Sequence, residues 1–393
     1  MSMKIGLQGG FGEKGRTSLS VAAPGSKHVL FDFGIKVGAT GPDYYPALGM
    51  AVDDIEAVLI THAHEDHVGA LSWLMARGYR GKFWMTHGTF AEAPATLSAY
   101  GDGSDVRAHP LAADRVELFR PGDAFSLAGL NVTTGRSGHV VGGVWFGIEH
   151  QGQRVSYCGD VVPESAVFVM DAIPECDLLA IDASYGADAI SGSERAGQIA
   201  AWIGRHGSGC LLPTPLSGRS LELIAAIDAP FAIHRSMRPA LRAQIGATQA
   251  LAAGVPDLLN CRLAQAADWD ETQPLPQMPL LCDDGMGQSG PSSRLLPKAE
   301  AAGYPVLLTG HLPDGSPGQT MLASGRADWI RMPTHPTLAG NLGIWRAAGE
   351  PPVLGHSCGA ADLVELHHHM PALNTSARTG DSLQLVNGRI EAA

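Results

Sequence analysis

The sequence predicts an α/β fold built as two units, the second inserted into the first, and three observations point there. Short apolar runs that end in Gly, Asp or His alternate with amphipathic segments along most of the chain. The 393 residues exceed the usual single-domain length of roughly 100 to 200, so two cores are expected. A middle region carries its own strand and helix signals before strand-like segments resume near the end.

In chain order, Val29-Leu30-Phe31, Ala57-Val58-Leu59-Ile60 and Lys82-Phe83-Trp84-Met85 read as strands. Val68 to Arg77 reads as a helix, because Val68, Leu71, Leu74 and Met75 fall on one helical face. The region from about Ala187 to about Arg331 holds a strand at Cys210-Leu211-Leu212-Pro213, a helix over Leu221 to Ile227, and a strand at Pro305-Val306-Leu307-Leu308 before a Gly-rich turn. Val353-Leu354-Gly355-His356 and Ser382-Leu383-Gln384-Leu385-Val386 then resume the outer unit. Asn387-Gly388 signals a hairpin before Arg389-Ile390-Glu391. The expected units are 1–186 and its return segment 332–393, with 187–331 inserted. No internal repeat is evident.

Hydrophobic residues at 45% and charged residues at 17% describe an ordinary globular interior, and 49 Gly and 26 Pro spread along the chain imply many loops rather than disorder. The formal charge of −12 opposes a broad basic surface for nucleic acid. Residues Met1 to Gly10 lack the apolar core of a signal peptide, and no apolar run approaches the roughly 20 residues that span a bilayer. A cytoplasmic protein with no membrane partner is expected. The six cysteines include no Cys-x-x-Cys pair, which suits reduced thiols.

The densest chemical signal is His62-Ala63-His64-Glu65-Asp66-His67, which follows the strand-like Val58 to Thr61 and precedes the helical segment. His62 and His64, two apart in an extended loop, are expected to face one side, while Asp66 and His67 turn at the helix start toward a second ion. Imidazole and carboxylate suit Zn2+, and a site with few protein ligands leaves room for a catalytic water. Such density has little structural use without metal. Any one of His139, Asp160 or Asp32 alone reads at least as well as an ordinary core or strand-end residue.

This cluster resembles the His-x-His-x-Asp-His signature of metallo-β-lactamase-fold hydrolases, and the following Val68-Gly69-Ala70-Leu71 fits as well. Ser137-Gly138-His139, Tyr157-Cys158-Gly159-Asp160 and the earlier Phe31-Asp32-Phe33-Gly34 resemble the family's remaining motifs. The resemblance implies an αββα sandwich and two Zn2+ per chain. It implies that His62, His64 and His139 hold one ion, that Asp66, His67 and His356 hold the other, and that Asp160 bridges them. Asp32 would orient the ligands from behind.

The inserted region narrows the resemblance to the β-CASP nucleases. Leu179-Ala180-Ile181-Asp182-Ala183-Ser184-Tyr185-Gly186 is similar to the acidic motif that opens the β-CASP insertion, and Pro213 to Glu222, with Ser217-Gly218-Arg219, looks like its Gly-Arg segment. Gly285 to Pro291, Leu308-Thr309-Gly310-His311 and Gly315 to Gly318 resemble further landmarks in the right order. Pro333-Thr334-His335-Pro336 sits where the second β-CASP motif belongs and Leu354-Gly355-His356-Ser357 where the third belongs, although no Asp closely follows His335 and Ser, not Gly, follows His356. Another alignment takes Cys358 to Asp362 as the second motif and leaves Ala360 and Arg378 where histidines belong.

By this resemblance Asp32, Asp66, Asp182 and His335 carry catalysis, with His335 as proton donor and Asp182 bonded to its ring. A His at the third motif accompanies members that act on RNA, such as the pre-mRNA 3′-end nuclease and ribonuclease J, so single-stranded RNA is favoured over DNA. Ser217, Gly218, Arg219 and Ser289 are the expected substrate contacts, with Ser292 and Arg294 beside them. His367-His368-His369 reads as a solvated helix end. A homodimer is left open. The alternatives are a small-molecule hydrolase of lactonase or thioesterase type and a non-catalytic RNA-processing scaffold.

Overall fold

The computed structural model of this protein describes residues 2–386 and 388–392, so Asn387 of the expected hairpin turn lies outside the described residues. The chain forms two compact units, one of Met1–Pro163, Met170–Ala189 and His335–Ala393, the other of Glu164–Val169 and Ile190–Thr334. The segment Glu164–Val169 lacked any sequence signal separating it from its neighbours. It belongs to the second unit because Val169 N donates to Ala250 O, Ala252 N donates to Val167 O, and Phe168 bridges Leu251.

The first unit opens with β1 (Met3–Gly9), β2 (Ser18–Ala22), β3 (His28–Phe31), β4 (Ile55–Leu59), β5 (Lys82–Thr86) and β6 (Val116–Phe119). It continues with β7 (Ala124–Leu127), β8 (Leu130–Arg136), β9 (Val144–His150), β10 (Gln153–Tyr157) and β11 (Leu178–Asp182). The second unit supplies β12 (Cys210–Pro213), β13 (Ala232–His234), β14 (Ala267–Trp269), β15 (Pro279–Cys282), β16 (Leu307–Leu308) and β17 (Asp328–Trp329). The return segment adds β18 (Val353–His356), β19 (Leu373–Asn374), β20 (Ser382–Val386) and β21 (Arg389–Ala392).

Within the first unit the strands form two sheets, in the orders β21-β20-β1-β2-β3-β4-β5-β6 and β19-β18-β11-β10-β9-β8-β7. Alternation of side chains across a strand explains why both read as continuous apolar runs. Ala57 and Leu59 enter the core between the sheets, where Phe31 meets Phe146 edge-on at 5.4 Å. Val58 and Ile60 enter the core beneath the helices Leu71–Ala76 and His87–Tyr100. On the other sheet, Leu178 and Ala180 face inward, while Leu179 and Ile181 pack under the helices Leu338–Ala347 and Ala360–His367. Each sheet thus buries two faces, and truncating a residue such as Phe146 to Ala costs about 3 to 5 kcal/mol.

The expected helix over Val68 to Arg77 is instead two, Glu65–Val68 and Leu71–Ala76. The break follows from hydrogen bonding and close packing. Ala70 N leaves the helical ladder to donate to Phe33 O at 3.1 Å, and a Cβ on Gly69 would lie 2.6 Å from Ile35 Cγ1. The turn thereby ties the His/Asp cluster to the strand that carries Asp32.

The second unit is built on a parallel sheet in the order β12-β15-β13-β14, beside the parallel pair β16 and β17. The helix expected over Leu221 to Ile227 spans Arg219–Ala226, starting two residues earlier and ending one residue earlier. All six cysteines are free thiols. Among the described residues no helix is long and apolar enough to cross a membrane.

Candidate metal centre

The centre lies in the first unit, and its residues follow the carboxyl ends of strands. Asp32 comes directly after β3, the cluster from His62 to His67 after β4, His139 after β8 and Asp160 after β10, while Asp182 ends β11 and His356 ends β18. Asp182 and His356 are direct neighbours across the parallel β11 and β18 pair. Two glycines let the chain approach this closely. A Cβ on Gly159 (φ 54°) would lie 2.5 Å from Thr61, and one on Gly138 (φ 75°) 2.5 Å from Val162 O.

The ligand atoms of His62, His64, His139 and Asp160 lie within 4.8 Å of one another. Asp160 Oδ2 is 3.6 Å from Nε2 of both His62 and His139, and His64 Nδ1 is 3.1 Å from His139 Nε2. A second group with the same spacing comprises Asp160, Asp182 and His335. Of the second ligand set implied by the resemblance, His67 meets both Asp66 and Asp160, and none of Asp66, His67 and His356 belongs to a gathered ligand group among the described residues. His67 Nε2 is 3.2 Å from Asp160 Oδ1 and 3.7 Å from Asp66 Oδ2, while His356 stands at the end of the adjacent strand β18.

Buried polar atoms test whether these residues fit a metal. Nε2 of His62 and Nε2 of His356 are buried without a hydrogen-bond partner. Such groups are costly in a protein interior unless a ligand completes them. Burial first, then the neighbouring rings, hold His62 and His139 well below the ordinary imidazole pKa, so their nitrogens keep lone pairs. His67 goes the other way. Burial alone would lower it, but Asp160, Asp66 and Asp32 together hold it well above its ordinary value. Three carboxylates around one imidazole leave the cluster short of positive charge, which is the environment a divalent cation requires.

Asp32 orients this centre. Its Oδ2 accepts from His67 Nδ1 at 2.8 Å, Tyr157 Oη at 2.8 Å and Thr61 Oγ1 at 2.8 Å, and its Oδ1 accepts from Thr61 N at 2.7 Å. With Nδ1 held by Asp32, Nε2 is the His67 ring atom that faces Asp160. Thr61 Oγ1 also bonds His62 Nδ1 at 3.0 Å. Thr61 and Tyr157 were given no role from sequence, although Thr61 precedes the His/Asp cluster and Tyr157 opens the Asp160 motif.

His335 Nδ1 lies 2.8 Å from Asp182 Oδ2. Burial would lower this imidazole, but Asp182 and Asp160 outweigh it and push it up to about 10. The Asp182 carboxylate is fixed on its far side by Ser184 N and Oγ at 3.0 and 2.6 Å, and Asn341 Nδ2 donates to the Asp182 carbonyl at 3.0 Å. Asn341 is a further residue that sequence reading missed; a single Asn in a helix carries no pattern.

The family profile of the Metallo-beta-lactamase superfamily matches residues 13–250. The chain belongs to the metallo-β-lactamase superfamily. Its two-sheet unit with outer helices is the superfamily's αββα sandwich. Among curated relatives, Cleavage and polyadenylation specificity factor 73 of Drosophila melanogaster is 29% identical over 234 residues, which is 55% of this chain and 34% of that protein. Endoribonuclease ysh1 of Schizosaccharomyces pombe is 28% identical over 230 residues, 54% of this chain and 30% of that protein. The chain thus spans about a third of the length of the curated relatives it matches. A solved protein of unknown function from Enterococcus faecalis V583 shares the fold, with a TM-score of 0.60 at 12% identity over 98% of this chain and all of that one. For a superfamily member, the gathered His and Asp residues point to use of a divalent metal.

The expected substrate contacts belong to the second unit. Gly218 (φ 72°) turns the chain from β12 into the helix begun by Arg219, whose Nη2 donates to Thr334 Oγ1 at 3.2 Å. Ser289 donates to Asp284 through both its N and Oγ, at 2.8 and 2.7 Å, and Ser292 Oγ donates to the same carboxylate at 3.2 Å. These serines fold a loop around Asp284. Arg294 pairs with Glu271 at 2.6 Å. His367 ends its helix with Nδ1 bonded to Leu373 O, and no group of potential ligands among the described residues includes it or its two neighbours.

Proposed function

We propose that this chain is a metal-dependent ribonuclease of the β-CASP type, which hydrolyses phosphodiester bonds of single-stranded RNA with two Zn2+ ions. The observation that carries this reading is Asp160, whose carboxylate joins the His62, His64 and His139 group to the His335 and Asp182 pair. The named ribonuclease among the relatives supports it. In this reading the second unit is the inserted β-CASP domain.

His62, His64 and His139 would hold one ion, Asp66, His67 and His356 the other, and Asp160 would be shared between the two sets. Bound ions of this kind supply positive charge for the scissile phosphate and acidify water toward a pKa of roughly 7. Asp32, with Thr61 and Tyr157, keeps the His67 ring turned toward the centre. His335 enters the reaction protonated and donates to the departing ribose oxygen, and Asp182 holds its ring by Nδ1 so that the opposite nitrogen faces the substrate. Arg219 grips a backbone phosphate and Ser217 and Gly218 shape the turn that presents it.

The formal charge of −12 favours a second reading, a small-molecule metallohydrolase of lactonase or thioesterase type. One experiment separates the two. Metal-loaded protein is incubated with end-labelled single-stranded RNA and DNA, and with a lactone and a thioester. The ribonuclease reading expects RNA products that disappear in Asp66→Ala, with DNA cut poorly. Hydrolysis of the small esters with intact RNA would replace it, and no turnover of any substrate by zinc-loaded protein would leave a binding scaffold.

A further inference from the structure

The loop between β1 and β2 has no part in the assignments above, yet both of its flanks are sewn to residues of the metal centre. Ser357 N donates to Gly10 O at 2.7 Å, Phe11 forms a β-bridge with His356, and Thr17 N donates to the carbonyl of Asp66 at 2.8 Å. Thr17 and Ser357 also share a hydroxyl hydrogen bond of 3.2 Å. Left-handed backbone at Gly10, Gly12 and Gly15 lets the chain fold tightly here, with Gly15 against Lys36 and Gly12 against Arg378.

Most of the loop's charges are engaged. Glu13 accepts from Arg16 Nε at 2.8 Å, Lys36 Nζ at 2.7 Å and Thr379 Oγ1 at 2.7 Å, and Arg16 also faces Asp43 at 3.4 Å. Lys14 is the exception. It is partly buried, and its ammonium has no hydrogen bond or ion pair among the described residues. Lys14 stands within electrostatic reach of Cys358, two residues beyond His356. The backbone N–H groups of Gly12, Glu13, Lys14 and Gly15 also lack partners among the described residues. A glycine-rich run of unpaired amides that carries a lysine is a segment suited to binding an anion.

We infer that Lys14 and the Gly12–Gly15 amides grip a phosphate of the RNA backbone next to the one being cut. The inference rests on the ribonuclease reading and places a positioning residue in the first unit. Two phosphates are then held at once, one at the metal centre and one at Lys14, so a single phosphodiester without neighbours gains nothing from the loop.

The test uses the metal-loaded full chain as wild type, Lys14→Ala, Lys14→Glu and Lys14→Arg. Binding of fluorescent single-stranded RNA is titrated from about 50 to 200 mM salt. Loss of one phosphate contact lowers the slope of log K against log salt by about 0.7 in Lys14→Ala. KM for RNA rises on the order of tenfold, corresponding to about 1.4 kcal/mol, further in Lys14→Glu, and Lys14→Arg restores it. Hydrolysis of bis(4-nitrophenyl) phosphate and metal content stay at wild-type levels in all three variants. Wild type that cuts RNA while Lys14→Ala keeps the same slope and KM overturns this inference alone. Wild type that neither binds nor cuts RNA overturns it together with the ribonuclease reading.

Discussion

His335 and Asp182 stand 153 residues apart in the chain and meet at 2.8 Å. Because Asp182 is also anchored by Ser184 and by Asn341, the pair presents the imidazole in one orientation. In the proposed mechanism, removing the ring deletes the proton donor and leaves the side chains of His62, His64, His139 and Asp160 in place. His335→Ala should therefore lower RNA turnover by roughly 10² to 10⁴ while metal content stays unchanged, as measured by mass spectrometry beside steady-state kinetics. Wild-type turnover in this variant would remove His335 from the mechanism. At this scale the sequence was most legible where chemistry is local: four potential ligands fall within six residues. It was least legible where a role depends on which strand ends become neighbours. Tyr157 reaches Asp32 across 125 positions, and Asn341 reaches Asp182 across 159. Ser289 illustrates the converse, since a loop serine in a resembling motif has its hydroxyl taken by Asp284.

The elements were readable because their patterns are strong. β12, β18 and β20 coincide with apolar runs bounded by turn residues, and β4 with a run buried on both faces. Helix Leu71–Ala76 was read too long at its start, because the amide of Ala70 pairs with Phe33, a contact no periodicity reports. The helix Arg219–Ala226 carries Glu222, whose carboxyl is buried and accepts from Ser165 Oγ at 2.5 Å, so this helix holds the segment Glu164–Val169. Burial first, opposed by Ser165, pushes Glu222 from 4.5 up to about 7. The folded chain therefore keeps a proton that the unfolded chain has already lost. This contribution to stability is complete below the unfolded value of 4.5 and disappears as pH rises through about 7. Glu222→Gln keeps the polar contact without the proton. Between about pH 5 and about pH 8, wild type should lose on the order of 2 to 3 kcal/mol of unfolding free energy relative to Glu222→Gln, read from urea titrations at each pH. Parallel losses in the two proteins would contradict the assignment of Glu222.

For the whole molecule, the two-unit organisation was expected from length and from strand signals that restart, and its finer boundaries were not. The excursion Glu164–Val169 is too short to carry a pattern of its own; it joins the second unit through backbone hydrogen bonds that exist only once the chain is folded. Composition alone pointed away from nucleic acid, because net charge says nothing about how a few charges are placed. The central claim is that His62, His64, Asp66, His67, His139, Asp160 and His356, spread over four strand ends, would hold a pair of divalent ions with Asp160 between them. Zinc per chain, measured by mass spectrometry on protein purified in chelator-free buffer and on Asp160→Asn, tests this most directly. Two zinc ions in wild type and a loss of both, with folding retained, in Asp160→Asn are the predicted result. Wild type without zinc after loading, or an Asp160→Asn variant with undiminished zinc, would contradict it.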